Sequence, residues 1–369
     1  MTVDESKIHK VLVISLSNIG DIILTTPVVS SLRERFPESH LAVLVGPKGV
    51  PIFEKSETID EVIVFDKQVS PWKKFLLVLA LRRKKFDLVV DIRNTAIPFF
   101  LWPKYRTSFF VDRRSQSMRQ RHLDQLRFLF PAPAIESDRF KDGAVLSPVG
   151  AKGSSNSENR FEFFNDEEKN SAFQKLAVAQ KGTSKQLLPV PFWQDNGGYP
   201  FNFVIVAPGA GSFLKRWPLA GFCQVIDHLN QRGISVVLVG DQSERDLGEE
   251  LESKISKQNV NLIGLLGLRE SAALISQAAI VIANDSAVMH LAHELRRPTV
   301  SIFGPTNELK YGQTGENRRM VRLHLDCAPC EKAECQIERR KCLDDLPAAS
   351  VINACEELLN HESDRLHTR

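Results

Sequence analysis

The sequence predicts two α/β domains in tandem, each a doubly wound parallel sheet. Three observations carry that expectation. β-branched runs alternate with helical patterns in two successive series, 369 residues suit two domains better than one, and small or polar residues recur just after the strands. In the first series, residues 11–16, 41–45, 61–65 and 87–91 read as strands, because each is short, apolar and rich in Val or Ile. Residues 27–36 read as a helix between them, with Thr26 as its cap before Pro27. Residues 150–159 hold almost no apolar side chain and read as a loop or linker, 161–179 as a helix of the first half, and 189–200 as a further connector.

The second series has strands at 203–207, 236–239, 280–283 and 299–303, with helical patterns at 221–230, 244–257 and 286–295. The expected domains are therefore 1–185 and 200–346, followed by a closing segment, 347–369. In such sheets ligands bind beyond the carboxyl ends of the strands. Here those ends read Ser17-Asn18-Ile19-Gly20-Asp21, Pro208-Gly209-Ala210-Gly211-Ser212, Gly240-Asp241 and Asn284-Asp285-Ser286. A central cleft faced by both domains is the expected site.

Composition excludes several classes. With 43% hydrophobic and 25% charged residues the chain has the make-up of a soluble globular protein. Its longest apolar stretches, such as 75–81, fall far short of the roughly 20 residues a bilayer span requires. Asp4 and Glu5 open the chain, and Asn18 and Asp21 break the first apolar run, which does not suit a signal peptide; a cytoplasmic protein is expected. Six cysteines, with Cys327, Cys330, Cys335 and Cys342 crowded together and Cys223 and Cys355 apart, do not make a secreted disulfide framework and are expected to be reduced. The crowded four admit a structural zinc site, but their irregular intervals favour packed thiols.

Net charge is only +3, yet residues 67–127 hold 15 Lys or Arg against four acids, so the rest of the chain sums to −8. A cationic face of this kind suits phosphorylated, nucleic-acid or anionic-lipid partners, and solvated helix faces are the plain alternative. Within it, 72–85 sets seven apolar residues between basic clusters. Burial of that run against a sheet is expected, and a buried stem with basic ends facing lipid is compatible with it.

Taken singly, the motifs are ambiguous. Gly209-Ala210-Gly211 resembles the start of a dinucleotide fingerprint, but Leu214 stands where the third glycine belongs. Its backbone amides, with Ser212 and Lys215 beyond, suit a diphosphate without that fingerprint. Asn284-Asp285-Ser286 leads from a strand into a helix carrying His290, so either Asp285 or Ser286 is a cap or the exposed amides take phosphate while Asp285 holds a hydroxyl or a lysine. Asp21 either caps a helix bent at Pro27 or lies in a loop as a base.

Together these motifs carry a resemblance. Residues 14–27, Ala207-Pro-Gly-Ala-Gly211 with Lys215-Arg-Trp-Pro218, and 284–292 with Phe303-Gly-Pro-Thr306 are similar to the bacterial heptosyltransferases, glycosyltransferase family 9. The ordered set spans nearly the whole chain, and the Cys-rich stretch resembles one subgroup. That resemblance implies a GT-B fold with an N-terminal acceptor domain, a C-terminal nucleotide-sugar domain and a last helix, 348–359, that returns to the first. It implies transfer of a heptose from an ADP-sugar to a lipopolysaccharide inner-core acceptor with inversion. Carried over by position, Asp21 matches the general base, Lys215 the diphosphate lysine, and Asp285, Ser286 and His290 the donor-binding turn, with Glu244 a looser match for a ribose contact. Gly209, Gly211 and Ser212 complete the donor side; Arg113, Arg114, Arg119 and Arg121 are the candidates for an anionic, lipid-linked acceptor. The sequence departs from the family at Ala287 and Val288 and at His293 and Glu294.

The chemistry agrees with that set. Inverting transfer builds negative charge on the departing diphosphate while the attacking hydroxyl loses a proton on the opposite face. One carboxylate and one cationic phosphate clamp suffice, and with no Asp-x-Asp motif the lysine and helix terminus are expected to replace a metal, so no cofactor is expected. Peripheral contact with the inner face of the cytoplasmic membrane is expected, and nucleic acid is not. The alternatives are another GT-B transferase with a different nucleotide sugar and a nonenzymatic polyanion-binding protein.

Overall fold

The computed structural model describes residues 3–15, 18–107, 117–130, 161–180, 203–255, 259–337 and 339–367, with the side chains of 128, 180 and 361–367 left aside. The expected linkers at 150–159 and 189–200, and Arg113 and Arg114, lie outside the described residues. The chain divides into two compact units, the second beginning for good at Phe164.

The first unit runs β1 (Lys10–Ser15), α1 (Ile19–Ile23), α2 (Thr26–Arg35), β2 (His40–Val45), α3 (Val50–Phe53), β3 (Glu61–Val64), α4 (Pro71–Lys84), β4 (Leu88–Asp91), α5 (Ile97–Leu101), β5 (Tyr105–Arg106) and α6 (Met118–Leu129). Its sheet is wholly parallel in the order β3-β2-β1-β4-β5. Val11 to Ile14 are fully buried on both faces, which is why β1 reads as a continuous apolar run and not as an alternation. Pro27 stands in the first turn of α2, where its missing N–H costs nothing.

One expectation fails here. Of the apolar run 75–81 only Leu81 is buried; Leu77 and Val78 lean on the core, while Phe75 and Leu76 are exposed. In α4 apolar residues occupy more of the circumference than the sheet has surface to cover.

The second unit contains α7 (Asp166–Gln180), β6 (Phe203–Ala207), α8 (Leu219–Gln231), β7 (Ser235–Leu238), α9 (Arg245–Glu252), β8 (Val260–Asn261), α10 (Leu268–Ile275), β9 (Ile280–Asn284), α11 (Ala287–Glu294), β10 (Thr299–Phe303), α12 (Glu308–Tyr311), β11 (Arg318–Arg322), α13 (Lys341–Asp344) and α14 (Ala348–His367). All its pairings are parallel, in the order β11-β10-β9-β6-β7-β8. The order reverses at β6/β9 here and at β1/β4 in the first sheet, and such switch points are where doubly wound sheets hold ligands.

The units part at Phe163, not near residue 185. Phe161 packs edge-on against Phe53 at 5.4 Å and against Phe163 at 5.0 Å, within the first unit. Asn165 and Glu168 then cap α7 reciprocally, and α7 packs on α10: the buried Glu168 carboxylate accepts from Arg269 Nε at 2.7 Å and Lys175 pairs with Glu270 at 2.7 Å. The closing helix α14 is likewise core of the second unit: Val351, Ala354, Cys355 and Leu358 join Phe222, Val225 and Ile226 of α8. No helix among the described residues is long and apolar enough to cross a membrane.

Candidate active site

The second switch point is built around Asn284, fully buried at the end of β9. Its Nδ2 donates to the carbonyls of Pro208 (2.8 Å) and Gly209 (3.3 Å), and its Oδ1 accepts from Trp217 N (3.1 Å). One amide side chain therefore ties the loop after β6 to the loop after β9, satisfying three backbone groups at a buried point. In the sequence Asn284 stands only as part of a motif, and an amide at a strand end is its one signal. Arg216 Nε holds the same loop through Ala210 O at 2.9 Å, and Arg340 clasps it from outside through Phe213 O (2.6 Å) and Arg216 O (2.9 Å).

Lys215 and Asp285, 70 residues apart, meet at 2.7 Å. Of the partners open to Asp285, it holds the lysine. The carboxylate side chain is 4% exposed and the lysine side chain 35%, so the anion is the buried support and the ammonium is the half that reaches solvent. His290 Nε2 stands 3.9 Å from the other carboxylate oxygen, and His290 is itself buried, which makes it a backing for Asp285 and not open surface. Ser286 caps α11 by its backbone, but its Oγ, buried, has no hydrogen-bond partner among the described residues. An ammonium, a helix N-terminus and an unused hydroxyl converge on one place, which is the chemistry of an anion site. Ser212 is exposed and its hydroxyl accepts from Leu214 N at 3.3 Å.

Glu244 is 8% exposed and lies directly against Gly209: a Cβ there would stand 1.9 Å from its Oε1. Any larger residue at 209 must displace that carboxylate, whereas a Cβ at Gly211 would meet nothing within 4 Å. Glu244 Oε2 accepts from Asp241 N at 3.0 Å in a capping box, so the expected helix 244–257 begins with a tight turn, Gln242–Glu244, before α9. Burial, and then the charge of Asp241, raise the Glu244 carboxyl above its ordinary value, against the pull of the Asp241 N–H and Arg216. The departures at His293 and Glu294 lie toward the other end of α11: His293 is buried, 3.3 Å from Ser301 Oγ, and Glu294 accepts from Gln313.

In the first unit Asp21 is neither cap nor loop residue. It stands in the first turn of α1, half-buried, beyond the carboxyl end of β1. The other end of α1 is fastened: Thr25 Oγ1 donates to Ile22 O (2.6 Å), Thr26 Oγ1 to Ile23 O (2.8 Å), and His122 of α6 bonds Leu24 O (3.1 Å). Burial holds the His122 imidazole below its ordinary pKa, while the Leu24 carbonyl and the Asp21 carboxylate pull the other way. His122 carries no signal in the sequence, since a lone histidine in a basic helix signals nothing. Nor does Asp91, buried at the end of β4, whose carboxylate accepts from Arg93 N (2.9 Å), Thr95 N (2.6 Å) and Thr95 Oγ1 (2.8 Å). Arg119 and Arg121 lie half-buried on α6, the latter turned toward Met118 Sδ at 3.9 Å.

The four crowded cysteines are free thiols lining one cavity with Leu214, Pro305 and Arg340. Burial first, and then the nearness of the other three, raise the Cys342 thiol. Among the described residues no three His, Cys, Asp or Glu side chains are placed to hold a metal ion.

Comparison with known proteins agrees with this geometry. The chain is 26% identical over 353 residues to lipopolysaccharide heptosyltransferase 3 of Escherichia coli, covering 92% of this chain and 96% of that protein. Its fold matches E. coli ADP-heptose lps heptosyltransferase II with a TM-score of 0.69 at 19% identity, covering 96% and 99% of the two chains. It matches E. coli heptosyltransferase WaaC with ADP-2-deoxy-2-fluoro heptose at 0.63 and 17% identity, covering 94% and 99%. The two sheets are thus those of the GT-B fold. The sequence profile of glycosyltransferase family 9 (heptosyltransferase) matches residues 157–341, half of the sequence and nearly all of the second unit's site, and the chain belongs to that family of transferases.

Proposed function

We propose that this enzyme transfers a heptose from ADP-heptose, with inversion, to an anionic, lipid-linked inner-core acceptor of lipopolysaccharide. The observation that carries the donor half is the Lys215–Asp285 pair beside the amino end of α11 and the unpartnered Ser286 hydroxyl. Lys215 meets the diphosphate, and because negative charge grows there as the glycosidic bond breaks, its attraction is larger in the transition state than in the ground state. Asp285 positions Lys215 and His290 backs Asp285. Gly211, Ser212 and the α11 amides take phosphate oxygens, and Glu244 accepts from a ribose hydroxyl. Asp21 removes the acceptor proton. Arg113, Arg114, Arg119 and Arg121 receive the acceptor's anionic groups, and the enzyme meets its acceptor peripherally, at the cytoplasmic membrane face. No metal is required, since the cationic clamp performs the Lewis-acid task, and the cysteine cluster serves as reduced structural packing.

The test is transfer from ADP-heptose to a deacylated inner-core oligosaccharide, with the anomeric configuration of the product read by NMR and a chelator present in parallel. Inverted product in both samples is expected. Thermal shift against ADP-, UDP- and GDP-sugars checks the donor, since only a bound ligand stabilises the native state. Stabilisation by a UDP- or GDP-sugar alone would replace this reading with that of a GT-B transferase of another donor.

A further inference from the structure

Helices α4 and α5 each carry more apolar surface than the core takes up. Leu77, Val78 and Leu81 of α4 pack into the first sheet's core with Ile97 and Leu101 of α5. Trp72, Phe75 and Leu76, with Phe99, Phe100 and Trp102, stay exposed, from 45% for Phe99 to 75% for Trp102. These side chains are linked. Trp72 stacks on Phe75 at 5.5 Å, the Arg82 guanidinium lies 4.3 Å from the Trp102 ring centre and so spans α4 to α5, and Arg106 lies 4.0 Å from the Phe99 ring. Trp102 has a φ of +49°, a left-handed conformation that is rare for so bulky a residue, and it presents its indole to solvent from that strained position.

The charge around these rings has one sign. Residues 72–106 hold nine Lys or Arg and two acids, and α4 contains no acid at all. Lys84 and Lys104 are matched by Glu61 and Asp87. Lys73, Lys74, Arg82, Arg83, Lys85 and Arg106 have no carboxylate partner among the described residues, although Lys74 donates to Lys67 O at 2.6 Å. Aromatic rings interleaved with unmatched cations suit a surface that is negatively charged outside and apolar a few ångströms below, as an anionic bilayer is. A second copy of the same face would bring like charges together.

We propose that this face of the first unit docks the enzyme on an anionic lipid bilayer, the rings of Trp72, Phe75, Phe100 and Trp102 entering the headgroup layer and the basic side chains lying over charged lipid. It bears on the proposed transfer by putting the enzyme where a lipid-linked acceptor resides, but the binding itself requires no catalysis.

The test is vesicle co-sedimentation with two sorts of liposome, phosphatidylglycerol mixed with phosphatidylethanolamine, and phosphatidylcholine alone. Two variants accompany the wild type: Trp72→Ser/Phe75→Ser/Phe100→Ser/Trp102→Gly, and Lys73→Gln/Lys74→Gln/Arg83→Gln/Lys85→Gln. The wild type should prefer the anionic vesicles, and each variant should bind them at least about tenfold more weakly. Salt raised to about 0.5 M should abolish most of the binding that depends on charge. Both variants should unfold at the wild-type temperature and keep full transfer to the deacylated acceptor. Equal vesicle binding by either variant, indifference of the wild type to lipid charge, or a dimer in lipid-free solution that the aromatic variant dissolves would each overturn the proposal. Wild-type protein that binds anionic vesicles through these residues yet transfers no heptose would support the surface while refuting the functional reading.

Discussion

At the carboxyl end of the second sheet the charged groups of the site are matched before any ligand arrives; at the end of the first, Asp91 is matched and Asp21 is not. Lys215 is held by Asp285, the loop after β6 by Asn284 and Arg216, and Glu244 by the Asp241 amide. Asp21 has no hydrogen bond or ion pair to any described residue, although the helix that carries it is fastened at its far end by Thr25, Thr26 and His122. The contrast suits the two tasks proposed for these residues. A phosphate clamp is effective when its charge and dipoles stand fixed in advance, because no reorganisation is then needed as the leaving group charges. A base must keep a lone pair available, so its backbone is positioned while its carboxylate stays open.

The largest effect should come from the open side. Asp21→Asn is expected to lower kcat by about 10² or more while donor affinity, read by calorimetry, stays at the wild-type value. Loss of donor binding in that variant would break the division of labour. Lys215→Ala should lower kcat/KM by about 10- to 100-fold, weakening donor binding as well as transfer. It should also cost about 1–3 kcal/mol of stability, since Asp285 is left buried without its cation. Lys215→Met/Asp285→Asn should recover most of that stability in urea unfolding and none of the donor affinity, which would separate the scaffold role of Asp285 from the ligand role of Lys215.

The two glycines sharpen the comparison on a smaller scale. Gly209→Ala must displace the Glu244 carboxylate and should cost about 1–3 kcal/mol. Gly211→Ala meets nothing in the free protein and should leave stability within about 0.5 kcal/mol while weakening the donor. Equal destabilisation by the two would show that the loop, not the carboxylate contact, sets the requirement.

The smallest effects are in pH dependence, and they have opposite signs in the two units. Glu244 is raised above the ordinary 4.5, so the folded state holds its proton more tightly; the associated stability is present below pH 4.5 and is lost as pH rises through the folded value. Glu244→Gln should therefore gain on the wild type as pH climbs above that point. His122 is lowered below 6.5, so its contribution is complete above 6.5 and is lost as pH falls through the folded value. His122→Gln should flatten that acid limb, and urea midpoints measured from acid to neutral pH check both.

Much of this was legible in the residues alone. All eight expected strands are present to within a residue or two, because β-branched runs and the turns that end them act over a few neighbouring positions. What escaped was of small local signal or of long range. The short strands β5 and β8 have two residues each, and β11 is the basic run Arg318-Arg-Met-Val-Arg322, whose strand character comes from pairing with β10. Helix α7 reads identically in either unit, and its packing on α10, with the Glu168–Arg269 and Lys175–Glu270 pairs, assigns it to the second.

Local pattern by itself determined two parallel α/β series, the turn-forming residues at their strand ends and the motif order that marks the family. Tertiary structure decided the rest. It alone put β6 beside β9 and β1 beside β4, creating the switch points, and it alone joined Lys215 to Asp285 across 70 residues. It also settled the fate of α4, whose sequence is apolar on more than one side. Periodicity records how many faces of a helix are apolar, but which of them meets a core depends on what the rest of the chain lays against it, and here the aromatic one was left to solvent.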